Sequence, residues 1–129
     1  MTKVLTFGTF DGIHEGHRAM LNEAKKLGSY LIVAVAPDSV VKALKGTMST
    51  HSSAERITML KKEHLADDVV LGDDIMHSWK IVKKYKPDII ALGYDQDELK
   101  QALIDYYENA KKKPIITVLS PYKPAVYKS

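Results

Sequence analysis

Two histidines, His14 and His17, stand three residues apart in the glycine-rich segment GTFDGIHEGH at positions 8–17. Side chains at positions i and i+3 share one face in the first turn of a helix, so both imidazoles can point to one place. The first turn also carries unpaired N–H groups and the positive end of the helix dipole, which favour an anion. Donors at such a place suit the oxygens that gain charge in phosphoryl transfer. The pattern therefore predicts phosphate chemistry, with a metal pair or plain surface histidines as the alternatives.

Strand and helix signals alternate along the chain and place that segment at the first strand-to-helix connection. Apolar runs and helical spacing predict strands at 2–7, 29–36, 68–71, 88–92 and 114–119, and helices at 15–27, 39–44, 54–64, 75–85 and 97–111. Alternation of this kind implies parallel crossovers. The predicted fold is α/β, a small doubly wound Rossmann-like domain with a five-stranded parallel sheet. We expect one domain over 1–129, with a tail from residue 120 that is irregular or truncated.

Composition narrows the classes of function. The 129 residues are 45% hydrophobic and 27% charged, as in an ordinary globular domain. There is no cysteine, which excludes disulfides, thiolate metal sites and a cysteine nucleophile. The net charge of +3 fits an anionic small molecule and gives no support for nucleic acid as a partner. No apolar run is long enough for a membrane span or a signal peptide, so we expect a cytoplasmic protein without a membrane partner.

The segment GTFDGIHEGH resembles the G-T-F-D-x-x-H-x-G-H signature of the cytidylyltransferase-like nucleotidyltransferase superfamily. The resemblance implies transfer of a nucleoside monophosphate from a nucleoside triphosphate to a phosphate of an acceptor, with pyrophosphate leaving. It implies that His14 and His17 contact the triphosphate as catalytic groups, and that Thr9 and Phe10 lie along the nucleotide. Asp11 matches an acid near the metal–phosphate cluster, where a divalent ion such as Mg²⁺ binds. A turn-stabilising role is the alternative for Asp11.

Four further residues match functional positions of the same superfamily. Lys42 and Lys45 resemble loop lysines that approach acceptor and triphosphate oxygens, and a solvated charged face is their alternative. Asp38 matches an acidic position near the acceptor, or serves as a helix cap. Arg56 could hold a phosphate through two hydrogen bonds, or form an ion pair with Glu55 or Asp38.

The sequence KPDIIALGYDQ, which ends at Gln96, resembles the archaeal-type FAD synthases, as does the earlier segment ADDVVLGD. This closer resemblance implies the reaction ATP + FMN → FAD + diphosphate. It places Gly93 and Asp95 near the nucleotide and assigns Tyr94 and Gln96 to the acceptor. Tyr94 alternatively packs on the sheet edge, and Gln96 alternatively bonds a backbone group.

Other functions stay open at this point. One is a glycerol-phosphate or sugar-phosphate transferase of the lipopolysaccharide type that uses CTP or ATP. Another is a catalytically silent nucleotide-binding module, because the relatives' C-terminal S-T/S-K/R-I motif would begin only near Ser129. Either the natural protein continues beyond that residue or this part of the site is missing. Relatives are often dimers, so a homodimer is a further possibility. Trp79, with Ile75 and Val82, has the spacing of a helix face that packs in the core. The resemblance gives Trp79 an alternative role, because relatives place a tryptophan near the nucleotide or the dimer face.

Overall fold

The computed structural model describes residues 1–75 and 77–120, which form alternating strands and helices. The strands are β1 (Lys3–Gly8), β2 (Tyr30–Val35), β3 (Asp68–Leu71), β4 (Ile89–Leu92) and β5 (Ile115–Val118). The helices are α1 (Glu15–Lys25), α2 (Asp38–Lys45), α3 (Ser53–Glu63), α4 (Lys80–Tyr85) and α5 (Asp97–Tyr107). The alternation predicted from the sequence is therefore confirmed.

The five strands form a parallel sheet in the order β3-β2-β1-β4-β5. β1 lies at the centre, with Gly8 opposite Val35 of β2 and Thr6 opposite Ala91 of β4. Successive connections run outward from β1 on one side and outward from β4 on the other. Such a reversal of strand order leaves a crevice beyond the carboxyl ends of β1 and β4, where ligands bind in open parallel sheets. The predicted doubly wound, Rossmann-like fold is confirmed.

Both faces of the sheet are covered by helices. Alternate residues along each strand point to opposite faces, so each strand supplies side chains to both layers. Val4 and Val33 lie on the face that packs against α1 and α3. Leu5 and Ile32 lie on the other face, against α4 and α5. Strands buried on both sides read as continuous apolar runs, and β2 is of this kind. Helices on both faces of the sheet therefore hold the strand ends, where the loops begin, in fixed positions.

The predicted helix before the fourth strand is wrong in its first half, because α4 begins only at Lys80. His77 and Trp79 adopt left-handed backbone angles, with φ of 63° and 61°, which a right-handed helix does not allow. The expected core face of this helix is also wrong in part. Val82 is buried, but the side chain of Ile75 is 63% exposed.

Two expectations concern the ends of the molecule and its relation to membranes. The tail expected to be irregular or truncated, Ser129 included, lies outside the described residues from position 121 onward. Within the described ranges, none of the helices combines the length and the apolar character that crossing a bilayer requires.

Candidate functional site

The turn after β1 is closed by His14, whose imidazole is the N-cap of α1. Its Nδ1 accepts hydrogen bonds from the backbone N–H groups of Gly16, at 3.1 Å, and His17, at 3.3 Å. A neutral ring with two donors on Nδ1 carries its own hydrogen on Nε2, which makes Nε2 a donor. The expectation that these backbone N–H groups are free for an anion is thereby corrected. Both N–H groups are therefore engaged in the helix cap.

The second imidazole stacks on the first. The ring centroids of His14 and His17 are 3.8 Å apart with 15° between the planes, so the predicted shared face is present. His17 is only 4% exposed, and neither ring nitrogen finds a full hydrogen bond within the described residues. Burial lowers the pKa of His17 to about 4, helped by the charges of His14 and Lys45 and opposed in part by the Gly12 backbone. The ring is therefore neutral at neutral pH.

The buried ring of Phe10 packs against the imidazole of His17. The Phe10 ring is 1% exposed and meets the imidazole edge to face, with 5.1 Å between the centroids. The backbone of Phe10 has a left-handed φ of 53°, and its ring lies directly over Gly8. A Cβ atom on Gly8 would lie 2.5 Å from that ring. The structure thus places Phe10 in the core, and its suggested contact with a nucleotide stays a prediction.

Arg56 links three segments of the site, which are the turn after β1, the start of α2 and the loop before α3. Its side chain is fully buried, and its three nitrogens donate to the carbonyl of His51 at 3.2 Å, the carbonyl of Thr9 at 2.8 Å and the carboxylate of Asp38 at 2.9 Å. The ion pair with Asp38 foreseen as an alternative is present, and the hydrogen bond from Arg56 lowers the pKa of that carboxyl. Glu55 instead closes the capping box of α3. A phosphate role for Arg56 and an acceptor role for Asp38 stay predictions.

Asp11 ties the turn after β1 to the loop before α3. Its carboxylate accepts from the backbone N–H groups of Thr50, at 2.7 Å, and His51, at 3.0 Å, and pairs with His51 Nδ1 at 3.1 Å. Burial alone would raise the pKa of Asp11, but these hydrogen bonds outweigh it and lower the pKa. The geometry favours the turn-stabilising alternative. Residues 1–75 and 77–120 contain no cluster of three or more acidic, histidine or cysteine side chains placed to hold a metal, and a position of Asp11 near a phosphate-bound ion stays a prediction.

A cavity of about 690 Å³ opens at the carboxyl ends of the strands. Four of the predicted site residues line it: Thr9, Lys45, Asp95 and Gln96. Lys45 also connects the cavity with the stacked histidines, because its charge is close enough to lower the pKa of His17. Lys42 lies one turn earlier on α2, with an exposed side chain. The cavity and the histidine pair are therefore neighbouring parts of one sheet edge.

The turn after β4 is built around Gln96. Its Oε1 accepts from the backbone N–H of Gly93 at 2.7 Å, and its Nε2 donates to the carbonyl of Phe7 at 3.0 Å. The backbone alternative foreseen for Gln96 is thus present. Asp95 is exposed at the cavity mouth, and Tyr94 is half-buried beside it. These bonds hold the β4 turn against the end of β1, and the ligand contacts of Gly93, Tyr94 and Asp95 stay predictions.

Most of the apolar cavity wall was missed by sequence reasoning. Phe7 and Ala36 line it from the ends of β1 and β2, Leu99 from α5, and His77 and Trp79 from the segment before α4. Phe7 and Ala36 could have been found, because residues at the carboxyl ends of parallel strands border the ligand crevice. His77 could not, because the sequence pattern placed it inside a helix. Trp79 was placed in the same helix, and only the tryptophan that relatives carry near the nucleotide or the dimer face indicated a function for it.

Comparison with known proteins extends the resemblance over most of the chain. Residues 5–126 match the family described as Cytidylyltransferase-like. The chain is 42% identical over 131 residues to the FAD synthase of Thermococcus sibiricus, covering 98% of this chain and 86% of that protein. It is 44% identical over 95 residues to the FAD synthase of Pyrococcus abyssi, covering 74% of this chain and 64% of that protein. A crystal structure of the lipopolysaccharide core biosynthesis protein from Thermoplasma volcanium GSS1 superimposes with a TM-score of 0.87 at 33% identity, covering 95% and 99% of the two chains.

Proposed function

Because the chain belongs to the cytidylyltransferase-like family, we propose that it transfers AMP from ATP to FMN and so forms FAD and diphosphate. The observation that carries this proposal is the 42% identity to an FAD synthase across 86% of that protein's length. The stacked histidines beside a large cavity at the carboxyl edge of a parallel sheet support it. The reaction needs one place for the triphosphate and an adjoining place for the aromatic acceptor, and the histidine pair and the cavity provide two such places.

The reaction requires positioning and charge stabilisation more than proton transfer. An oxygen of the acceptor phosphate attacks the α-phosphorus of ATP in line, and diphosphate leaves with the electrons of the broken bond. A phosphate acceptor is already ionised near neutral pH, so no general base is needed. Mg²⁺ that enters with ATP would offset charge between the phosphates, held by phosphate oxygens and water. Catalysis then depends on how the protein aligns the two phosphates.

The two imidazoles act in this proposal as hydrogen-bond donors. In His14 the helix cap occupies Nδ1, which leaves the hydrogen of the ring on Nε2. His17 is neutral, since burial places its pKa at about 4. Its nitrogens are buried and unpartnered within the described part of the chain, and a buried polar atom of that kind calls for a ligand or water. A phosphate oxygen is such a ligand, and Lys45 supplies positive charge nearby.

A second candidate function has one observation in its favour. The structurally similar protein of Thermoplasma volcanium is described by its role in lipopolysaccharide core biosynthesis, and it is 33% identical to this chain. A sugar-phosphate acceptor would use the same attack on the α-phosphorus. The higher identity to FAD synthases favours FMN.

A substrate comparison tests the proposal. Diphosphate release would be measured with ATP or CTP against FMN, glycerol 3-phosphate and a heptose phosphate, each with Mg²⁺. We expect release with ATP and FMN, accompanied by FAD on chromatography. Release with FMN no faster than in buffer would refute the FAD synthase proposal, and faster release with heptose phosphate would establish the second candidate.

A further inference from the structure

The last strand of the sheet has a free edge. β5 pairs with β4 on one side, and the described part of the chain places no strand on its other side. An edge of this kind is a template for pairing with another chain, and proteins often block it with charged side chains in the strand. The segment PIITVL, which contains β5, carries no charge. We propose that this edge is a dimer interface, where β5 pairs antiparallel with β5 of a second copy of the chain.

The backbone of β5 leaves hydrogen-bonding groups along this edge. The N–H groups of Ile115 and Leu119 donate to carbonyl groups of the β4 segment, at 3.0 and 2.8 Å. Alternate residues of a parallel strand pair with the same neighbour, so Ile116 and Val118 direct their N–H and C=O groups away from β4. Two copies related by a two-fold axis place Ile116 of each opposite Val118 of the other. Both residues then donate and accept across the interface.

Apolar side chains along the same edge are exposed. On β5, Ile115 is 63% and Val118 is 42% exposed, and on α5, Ile104 is 44% exposed. Tyr106 stacks on Trp79, so its flank of α5 faces the segment before α4. Ile104 stands two residues earlier, about 200° around the helix, and therefore on the flank that faces the free edge. Pairing of two copies would remove this apolar surface from water.

The charges at the two ends of β5 select a second copy as the occupant. Three exposed lysines, Lys111–Lys113, precede the strand. At its other end the carboxylate of Glu23 accepts from the N–H of Ser120, at 3.1 and 3.3 Å. Antiparallel pairing brings the lysines of each copy toward Glu23 of the other, whereas parallel pairing would set six lysines side by side. The edge is therefore self-complementary in the antiparallel arrangement alone, as a two-fold interface requires.

A single cysteine tests the pairing of the strands. The chain has no cysteine, so Thr117→Cys introduces one thiol without competitors. The two-fold arrangement places Thr117 opposite Thr117 of the second copy, with about 4.5 Å between the Cα atoms, which a disulfide can span. The matched control is Leu71→Cys on β3, at the opposite edge of the sheet. Under mild oxidation we expect Thr117→Cys to form a covalent dimer on a non-reducing gel, and Leu71→Cys to stay a single chain.

Sedimentation of the full chain tests the interface in solution. We expect a dimer at micromolar concentration. Replacing Ile115 and Val118 together by lysine should raise its Kd about 100-fold or more, because charge then stands within the strand and the apolar contact is lost. Leu71→Lys, which puts the same charge on the other edge strand, should leave Kd unchanged. Circular dichroism checks that each variant is folded.

Three results would overturn the interface. A monomer at every concentration would leave the edge to another occupant, such as a peptide of a different protein or a further part of this chain. A dimer that withstands the Ile115→Lys and Val118→Lys pair would place the contact elsewhere, and a dimer that only Leu71→Lys dissociates would place it at β3. None of these measurements depends on FAD synthesis, so the proposed function is tested separately.

Discussion

Replacement of Arg56 by methionine tests whether its buried guanidinium group holds the segments of the site together. The chain has two arginines, which gives a matched comparison. Arg56 is fully buried and donates to three partners, whereas Arg18 lies on the surface and pairs with Glu15 and Glu63. Methionine keeps much of the length and apolar stem of either side chain and removes the guanidinium.

The expected loss follows from the contacts. Removing Arg56 leaves the carbonyls of Thr9 and His51 without their donor and leaves Asp38 without its counter-ion. Breaking a buried pair in this way costs about 3–5 kcal/mol. The side chain of Asp38 is 34% exposed, so water replaces part of the lost bond and the lower end applies. A loss of about 3 kcal/mol corresponds to a fall in Tm of roughly 10 °C for a domain of this size.

The assay is urea denaturation followed by circular dichroism, with melting curves as a second readout. We expect Arg18→Met to shift Tm by less than about 2 °C, because exposed ion pairs contribute little. Arg56→Lys should lie between, since an ammonium group cannot reach all three acceptors at once. Equal losses of stability for Arg56→Met and Arg18→Met would refute the role of Arg56 in holding the segments of the site together.

Two further predictions concern the histidine pair and its support. The unfolded imidazole of His17 has a pKa of 6.5 and the folded one about 4, so protons favour the unfolded chain as the pH falls through this window. Stability should therefore drop by up to about 3 kcal/mol between pH 6.5 and 4. His17→Gln should flatten this dependence in urea titrations, and the exposed control His64→Gln should retain it; identical slopes for both would contradict the burial argument. Gly8→Ala should destabilise by about 2 kcal/mol, because the new methyl group collides with the Phe10 ring. Adding Phe10→Leu should recover part of that loss, and additive losses would show that the collision is not the cause.

The sheet could be predicted from the sequence because its signals are local. Five apolar runs, each bounded by glycine, proline or charged residues, are enough to place the strands, and β3 is found with the predicted bounds of 68–71. The i and i+3 spacing of His14 and His17 likewise predicts that the two rings share one face. The structure adds that the rings stack, with His14 as the N-cap in an extended backbone conformation.

The parts that sequence reasoning missed depend on contacts between distant residues. Arg56 donates a hydrogen bond to the carbonyl of Thr9, which lies 47 positions earlier in the sequence. No local sequence pattern predicts that hydrogen bond. The start of α4 is set by Asp73, whose carboxylate accepts from the backbone N–H of Ile81. The apolar and charged spacing of the segment before α4 suits a helix, so the turn that brings Trp79 to the cavity follows from tertiary structure alone.

The central claim is that the stacked imidazoles hold the phosphates during adenylyl transfer. The most direct measurement is kcat for diphosphate release from ATP and FMN with His17→Gln, compared with the wild type and with His64→Gln as control. We expect a fall of about 100-fold or more for His17→Gln, the usual loss when a transition-state donor is removed, with the control unchanged. A folded His17→Gln protein whose kcat stays within about threefold of the wild type would contradict the claim.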